Sequence, residues 1–335
     1  MPSTRSLTLA AWIAAAVTTM LALGSVVLAV VEPTAPGAFG DPDAGSGGVG
    51  LAAIEAIATI AFGVLGAMVV SQQQRNPVGW LLGLIGLSFA ILGTGNHVYW
   101  QVLLTTGDAD ALGTWAAWLC SWIWIPVIVP ASTVLPLVFP TGHPLSRRWR
   151  ALVWTAAVAG TVTLAGTAFV PGPIDGYPAA VNPLGIDSTA VEIIGTVGFV
   201  CLVPTALASI ASLVIRFRRS RGVERQQLKW VAAAATLLPL AFSGAGLASQ
   251  GSDGDAGYPI LLMGLLIVAV TVAVAMLRYR LYDIDVVINR TLVYGALTAT
   301  LAGTYLGTVL LLQLVLSGLT ANSGLAVAGS TLAVA

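Results

Sequence analysis

The sequence is short of charged residues. Only 8% of its 335 residues are Asp, Glu, Lys or Arg, whereas 57% are hydrophobic. A soluble globular domain carries about 25% charged residues. So little charge excludes an ordinary water-soluble surface, and a lipid bilayer is the expected surrounding.

Lysine and cysteine are also scarce. Lys229 is the single lysine, and the formal net charge is zero, so there is no electrostatic reason to expect a nucleic-acid partner. Cys120 and Cys201, the two cysteines, both lie inside apolar runs. Their number and positions exclude a disulfide framework and a C-x-x-C motif.

The usual catalytic motifs are missing. Two histidines, His97 and His143, do not form an H-E-x-x-H motif, and there is no phosphate-binding loop, nucleophile elbow or dinucleotide fingerprint. The sequence therefore predicts no catalytic residue, metal ligand or cofactor. Enzymatic activity is left open, with an intramembrane enzyme ranked last because no nucleophile–base pair is evident.

Long apolar runs dominate what is present. A membrane-spanning helix needs about 20 mostly apolar residues, and the connections rich in Gly, Pro, Asn, Asp and Ser are typical of turns. We expect an all-α, polytopic bundle of about ten spans forming a single membrane domain over residues 1–335. The predicted spans are 8–31, 51–71, 78–96, 113–139, 150–170, 190–215, 229–248, 258–277, 291–317 and an incomplete one at 323–335. The first is too long for a signal peptide's apolar region and is predicted to be retained.

Basic residues recur at every second connection. Arginine and lysine near span ends stay on the cytoplasmic side, so the pattern predicts a plasma-membrane protein with a cytoplasmic N-terminus. After ten spans the C-terminus would be cytoplasmic too. The basic groups are Arg5, Arg75, the cluster Arg147, Arg148 and Arg150, residues 216–229, and residues 278–290.

Two acidic residues fall inside predicted spans. Glu55 and Glu192 lie near the outer ends of their spans, and a charge at the bilayer centre costs about 2.5–3.5 kcal/mol. Either both side chains reach the outer interface, or they belong to an outward-facing polar pocket. That pocket would include Asn96, His97 and Gln101, and His97 could sense pH or bind a ligand.

Predicted span four is rich in tryptophan and proline. Trp115, Trp118 and Trp122 share one helical face by their spacing. They favour interfacial anchoring, while the prolines that follow would kink the helix and could create a lipophilic cleft or a moving element. The candidate outer sensing pocket thus comprises Glu55, Asn96, His97, Trp115, Trp118, Trp122 and Glu192.

Four inner connections together resemble a bacterial family. They read "RNPVGWLLGLIGL" at 75–87, "FPTGHPLSRRWR" at 139–150, "RSRGVERQQLKWV" at 219–231 and "LRYRLYDIDVVINRTLVYG" at 277–295. The set is similar to the multi-pass membrane region that precedes the cytoplasmic kinase part of certain sensor histidine kinases. Related stand-alone membrane proteins of unknown function also carry it.

The resemblance implies a membrane-embedded signal-input region that lacks the catalytic kinase part in this chain. The candidate signalling loops would then pass a change to the cytoplasm, although the same residues could simply anchor the chain to the anionic leaflet. Their candidate residues are Arg219, Arg221, Glu224, Arg225, Lys229, Arg278, Arg280, Asp283, Asp285 and Arg290.

Two other function classes stay open from the sequence. A transporter or channel is one, although midplane charges and inverted repeats are not evident. A structural or assembly protein is the other. The expected partners are the lipid bilayer, a second copy of the chain in a homodimer, and a cytoplasmic signalling protein.

Overall fold

The computed structural model describes residues 4–31, 48–139 and 142–221, together with residues 263–264, 266–269 and 271–272. Contacts divide the chain into two units, Met1–Tyr282 and Asp283–Ala335, and every described residue belongs to the first. Predicted spans seven, nine and ten lie outside the described residues. The described residues of span eight are helical, and Val268 and Val272 are buried.

Helices make up most of the described chain. They are α1 (Thr4–Val31), α2 (Gly48–Gln72), α3 (Pro77–Thr106), α4 (Ala111–Ile123), α5 (Ile125–Val129), a π-helical turn (Pro130–Val134), α6 (Leu135–Val138), α7 (Arg147–Phe169) and α8 (Thr189–Arg219). A short antiparallel hairpin, β1 (Pro173–Ile174) and β2 (Tyr177–Val181), precedes α8.

Within the described residues, six helical segments are long and apolar enough to cross a membrane, so the chain is a helical membrane protein. They coincide with the first six predicted spans, and α4, α5, the π-helical turn and α6 together form the fourth. The third is longer than predicted. It continues from residue 96 to Thr106 because Asn96 and His97, which read as a polar span end, are buried within the helix.

Helix ends follow local sequence signals. Asn76 caps α3 by accepting a hydrogen bond from the Val78 amide, and Asp110 caps α4 by accepting one from Gly113. Gly107 terminates α3 in the left-handed region, with φ of 77°. These caps make the turn between α3 and α4 short and well defined.

The fourth span is broken, as its prolines predict. The helix is interrupted at Trp124, resumes at Ile125 and passes through the π-helical turn that begins at Pro130. Proline has no amide hydrogen to donate to the preceding turn, which accounts for the break. Hydroxyl groups of the same stretch bond the carbonyls one turn before them. Ser132 Oγ donates to Ile128 O at 2.7 Å, and Thr133 Oγ1 donates to Val129 O.

The connection after α7 departs from the all-α expectation, because part of it pairs as strands. Ile174 pairs with Tyr177 around Gly176, whose φ of 80° suits a tight turn. Asn182 reinforces the return of the chain: its side chain donates to Val170 O at 2.7 Å and to Ala168 O at 3.0 Å.

Glycines set two close helix crossings. A Cβ atom on Gly66 of α2 would lie 2.6 Å from the Gly83 nitrogen of α3. A Cβ atom on Gly166 of α7 would lie 2.1 Å from Gly195 Cα of α8. Small residues allow such backbone approach in membranes, so these glycines fix the α2–α3 and α7–α8 packing.

The helices place charges of opposite sign at opposite ends of the described bundle. Gln74 Nε2 donates to Thr8 Oγ1 at 3.1 Å, which joins the start of α1 to the end of α2. We call this the basic end. The described arginines lie there: Arg5, Arg75, Arg147, Arg148, Arg150, Arg216, Arg218, Arg219 and Arg221.

The opposite end carries β1 and β2, and we call it the hairpin end. The acidic residues in the described loops and helix starts of this end are Asp108, Asp110, Asp175, Asp187 and Glu192. Within the described ranges no lysine or arginine lies there. Glu55, the other described acidic residue, is about two helical turns into α2 from this end.

Candidate functional site

The hairpin inserts a tyrosine into the bundle. Tyr177, at the start of β2, is only 6% exposed. Its Oη donates a hydrogen bond to Asn96 Oδ1 of α3 at 3.3 Å, and it interacts electrostatically with Cys120 of α4. The thiol of Cys120 donates to Leu92 O of α3 at 3.5 Å, so the hairpin tyrosine lies beside a contact between α3 and α4.

A second tyrosine, Tyr99 of α3, also contacts the hairpin. The Ala179 amide of β2 donates to Tyr99 Oη at 3.2 Å. The rings of Tyr99 and Tyr177 meet edge to face, with centroids 4.8 Å apart and planes at 88°, a geometry that aromatic pairs favour. Together with the bond from Tyr177 to Asn96, three contacts therefore fix the hairpin to α3.

Glu55 of α2 lies close to Tyr177 and to Cys120. It is 4% exposed, and a Cβ atom on Gly93 would lie 2.2 Å from its Oε1. Its carboxyl group thus occupies the space that the missing side chain of Gly93 leaves. Because it interacts electrostatically with both Cys120 and Tyr177, it belongs to the same buried polar cluster. We define this cluster as Glu55, Asn96, Tyr99, Cys120 and Tyr177.

The environment of Tyr177 keeps its phenol neutral. Burial raises the pKa of Tyr177 well above its ordinary value of 10.0, and the nearby Cys120, Tyr99 and Glu55 raise it further. Tyr177 is therefore a hydrogen-bond donor at any physiological pH.

His97 is buried at 7% exposure. Asn96 and His97 follow Gly93 by three and four residues, so both lie toward the side of α3 that carries the contact with Glu55. Asn96 also accepts the hydrogen bond from Tyr177.

The three tryptophans stack along α4 as their spacing predicts. Trp115 and Trp118 have ring centroids 5.5 Å apart, and Trp118 and Trp122 have centroids 5.4 Å apart. Trp118 Nε1 donates to Ala168 O of α7 at 2.9 Å. This row of rings therefore lies against the end of α7, on a different side of α4 from Cys120.

The predicted outer pocket is thus distributed over separate features. Glu55 and Asn96 both belong to the buried polar cluster, the tryptophan row lies beside α7, and Glu192 is exposed in the first turn of α8. Sequence reasoning missed Tyr99, Cys120 and Tyr177. A tyrosine within a turn-rich connection is a weak signal, since only the fold shows that it points inward.

A buried arginine organises the basic end. Arg216 of α8 is 6% exposed. Its Nη2 donates to Leu137 O at 3.0 Å and to His143 O at 2.8 Å, and its Nη1 donates to Phe139 O. These carbonyls belong to the last turn of the broken span and the loop after it, where a helix leaves acceptors without intrahelical partners.

Arg216 was expected only as one member of a basic group. The signal that distinguishes it is its position one turn after the buried residues Ser212 and Leu213, whereas Arg218 and Arg219 are exposed. Of the candidate signalling residues, Arg219 ends α8 and Arg221 follows it. The others lie outside the described residues: Glu224, Arg225, Lys229, Arg278, Arg280, Asp283, Asp285 and Arg290.

These features define a helical membrane protein with a buried polar cluster at one end and an arginine-bound broken span at the other. No protein-family model, curated protein or solved structure matches the chain. Within the described residues, no group of three or more His, Cys, Asp or Glu side chains is arranged to hold a metal ion.

Proposed function

We propose that the chain is the signal-input region of a membrane sensor, as its resemblance to the membrane part of sensor histidine kinases implies. A stimulus at the hairpin end would alter the contacts of Tyr177. The altered packing would pass through the broken span to Arg216 and α8, and from there to the signalling loops at 219–231 and 277–290.

One observation carries this proposal. The broken span is held at both ends by groups from elsewhere in the chain, with Cys120 contacting Tyr177 and the final carbonyls bound by Arg216. Between these contacts lie Trp124 and the π-helical turn, where helical geometry is interrupted. Such interruptions often mark functional hinges, and a two-state element is what coupling between distant sites requires.

The charge distribution supports an orientation for this module. Because arginines near span ends stay in the cytoplasm, we place the basic end and the N-terminus inside the cell and the hairpin end outside. This fits ten spans in the plasma membrane, with the candidate signalling loops at 219–231 and 277–290 on the cytoplasmic side. A homodimer and a cytoplasmic partner would complete the signalling unit.

The test measures whether the two ends are coupled. One spin label would be placed on Arg148→Cys, near the start of α7, and the other on Arg219→Cys, at the end of α8. In a Cys201→Ala background and in lipid nanodiscs, the pair would report the distance between these two helix ends. We expect Tyr177→Phe to shift this distance or to add a second population, because it removes the phenol's bond to Asn96 and its interaction with Cys120.

Val181→Ala is the matched control, since Val181 lies in the same hairpin but is 59% exposed. It should leave the distance distribution of the parent unchanged. If Tyr177→Phe folds normally by circular dichroism and gives the parent distribution too, the two ends are not coupled and the signal-input proposal fails.

Transport is the second candidate, and Glu55 is the observation that favours it. A buried carboxyl group beside a proline-broken span is typical of transporter sites. Proteoliposomes containing a pH-sensitive dye would test it. Proton flux that is lost in Glu55→Gln would support this candidate, and flux equal to that of protein-free vesicles would exclude proton transport.

A further inference from the structure

A cavity of about 350 Å³ opens at the basic end, away from the buried polar cluster. Its lining comes from the first turns of α1 and from the turn that follows α2. On α1 the lining residues are Arg5, Thr8, Leu9 and Trp12, whose spacing of three and four places them on one side of the helix. Gln74 completes the lining.

The lining has a charged and polar part and an apolar part. Arg5, Thr8 and Gln74 supply hydrogen-bond donors, and the bond from Gln74 Nε2 to Thr8 Oγ1 at 3.1 Å ties the two walls together. Leu9, which is 61% exposed, and Trp12 supply the apolar part. This lining suits a molecule that has an anionic polar group attached to a hydrocarbon.

Two tryptophans indicate the depth of the cavity. Trp12 Nε1 donates to Ser71 Oγ at 2.9 Å, and Trp80 Nε1 donates to Gln74 O at 3.0 Å. Both rings thus fix the end of α2 and its turn, and tryptophan prefers the interface between membrane and water. Within the described chain, the basic end has no acidic residue to compete for Arg5.

We propose that this cavity binds the head group of one anionic phospholipid. The phosphate would accept hydrogen bonds from Arg5 and from the polar wall, while an acyl chain would lie along Leu9. Arginine pairs well with phosphate because its planar guanidinium offers several donors. This inference rests on the cavity alone and is independent of the proposed signalling function.

Native mass spectrometry of the purified full chain would test it, with phosphatidylglycerol and phosphatidylcholine as the probes. We expect the first phosphatidylglycerol to bind about fivefold or more tightly than phosphatidylcholine, and Arg5→Gln to abolish that preference. Leu9→Glu should abolish it as well, because it places a carboxylate beside the phosphate at an exposed position. Arg148→Gln, an exposed arginine of the same end outside the cavity, should keep it.

Three outcomes would overturn the assignment. Equal affinity for the two lipids in the parent protein would exclude selection of an anionic head group. A preference that survives both Arg5→Gln and Leu9→Glu would locate the lipid elsewhere. Displacement of phosphatidylglycerol by soluble glycerol phosphate would assign the cavity to a free phosphate ester instead of a lipid.

Discussion

At the scale of single residues, Tyr177 makes the free energy of unfolding vary with pH in the alkaline range. Its pKa is raised by burial and then by Cys120, Tyr99 and Glu55. The unfolded chain would therefore release the phenol proton near pH 10, while the folded chain would keep it. The contribution of Tyr177 to the free energy of unfolding is therefore fully present below about pH 10 and is lost as the pH rises further.

Comparison with Tyr177→Phe isolates this effect. We expect the free energy of unfolding in detergent to fall faster above pH 10 for the parent than for the variant. In the folded state, tyrosinate absorbance should be the same for both, since Tyr177 does not ionise, whereas the unfolded proteins should differ by one tyrosine. A folded-state difference of one tyrosine near pH 10 would show that Tyr177 is accessible.

Arg216 gives a second prediction at this scale. Replacing it with Lys keeps the charge but not the planar set of donors that reaches three carbonyls. We expect Arg216→Lys to lower the free energy of unfolding by about 2 kcal/mol or more, because buried acceptors lose their bonds. Denaturation in mixed micelles would measure the change.

Arg218→Lys is the matched control for that measurement. Arg218 is exposed two residues further along α8, so this change should stay within about 0.5 kcal/mol of the parent. Equal losses in the two variants would mean that the carbonyl contacts of Arg216 do not contribute specifically.

The residues of the buried polar cluster were predictable only where their neighbours in the sequence made them stand out. Glu55 and Asn96 stood out because polar groups inside apolar runs are rare, and both are buried. Tyr177 did not stand out, because its partner Asn96 lies 81 positions away in the chain. A sequence pattern has no means of recording that a turn-rich connection folds back over the end of a helix.

At the scale of helices, the glycine crossing between α7 and α8 is the most sensitive packing contact. A methyl group at Gly166 would meet the backbone of Gly195 at 2.1 Å, and backbone cannot rotate away as a side chain can. We expect Gly166→Ala to lower the free energy of unfolding by about 1–3 kcal/mol. Unfolding in mixed micelles would again be the measurement.

Gly24→Ala is the control for Gly166→Ala, at a glycine that makes no close helix contact. Gly24 lies within α1, and nothing is within 4 Å of a Cβ atom built there. The substitution should be neutral or stabilise by up to about 1 kcal/mol, since alanine favours helix over glycine. A destabilised Gly24→Ala together with an unaffected Gly166→Ala would contradict this account of the crossings.

The helices themselves were largely predictable, and their irregularities were only partly so. Of the ten spans predicted from apolar length, the first six coincide with the six apolar helical segments of the described residues, because a bilayer requires that length. The prolines of span four predicted a disruption but not its form, which includes a π-helical turn at Pro130. The hairpin was missed because "YPAAV" at 177–181 lacks the alternation of a half-buried strand.

At the scale of the whole molecule, the separation of charges links sequence to orientation. The sequence predicts that all basic groups share one side of the membrane. In the fold, the nine described arginines all lie at the basic end. The described acidic loop residues lie at the other end. Such separation predicts which surface faces the cytoplasm, because arginines resist translocation while acidic residues have little influence.

Cysteine labelling in intact cells would test the predicted orientation. In a background with Cys120→Ala and Cys201→Ala, Asp187→Cys at the hairpin end should react with a membrane-impermeant maleimide. Arg148→Cys at the basic end should react only after the cells are opened. Both positions are exposed in the fold, so a difference between them reports the side of the membrane instead of burial. The reverse pattern would place the N-terminus outside the cell, and the hairpin could then not receive an external signal.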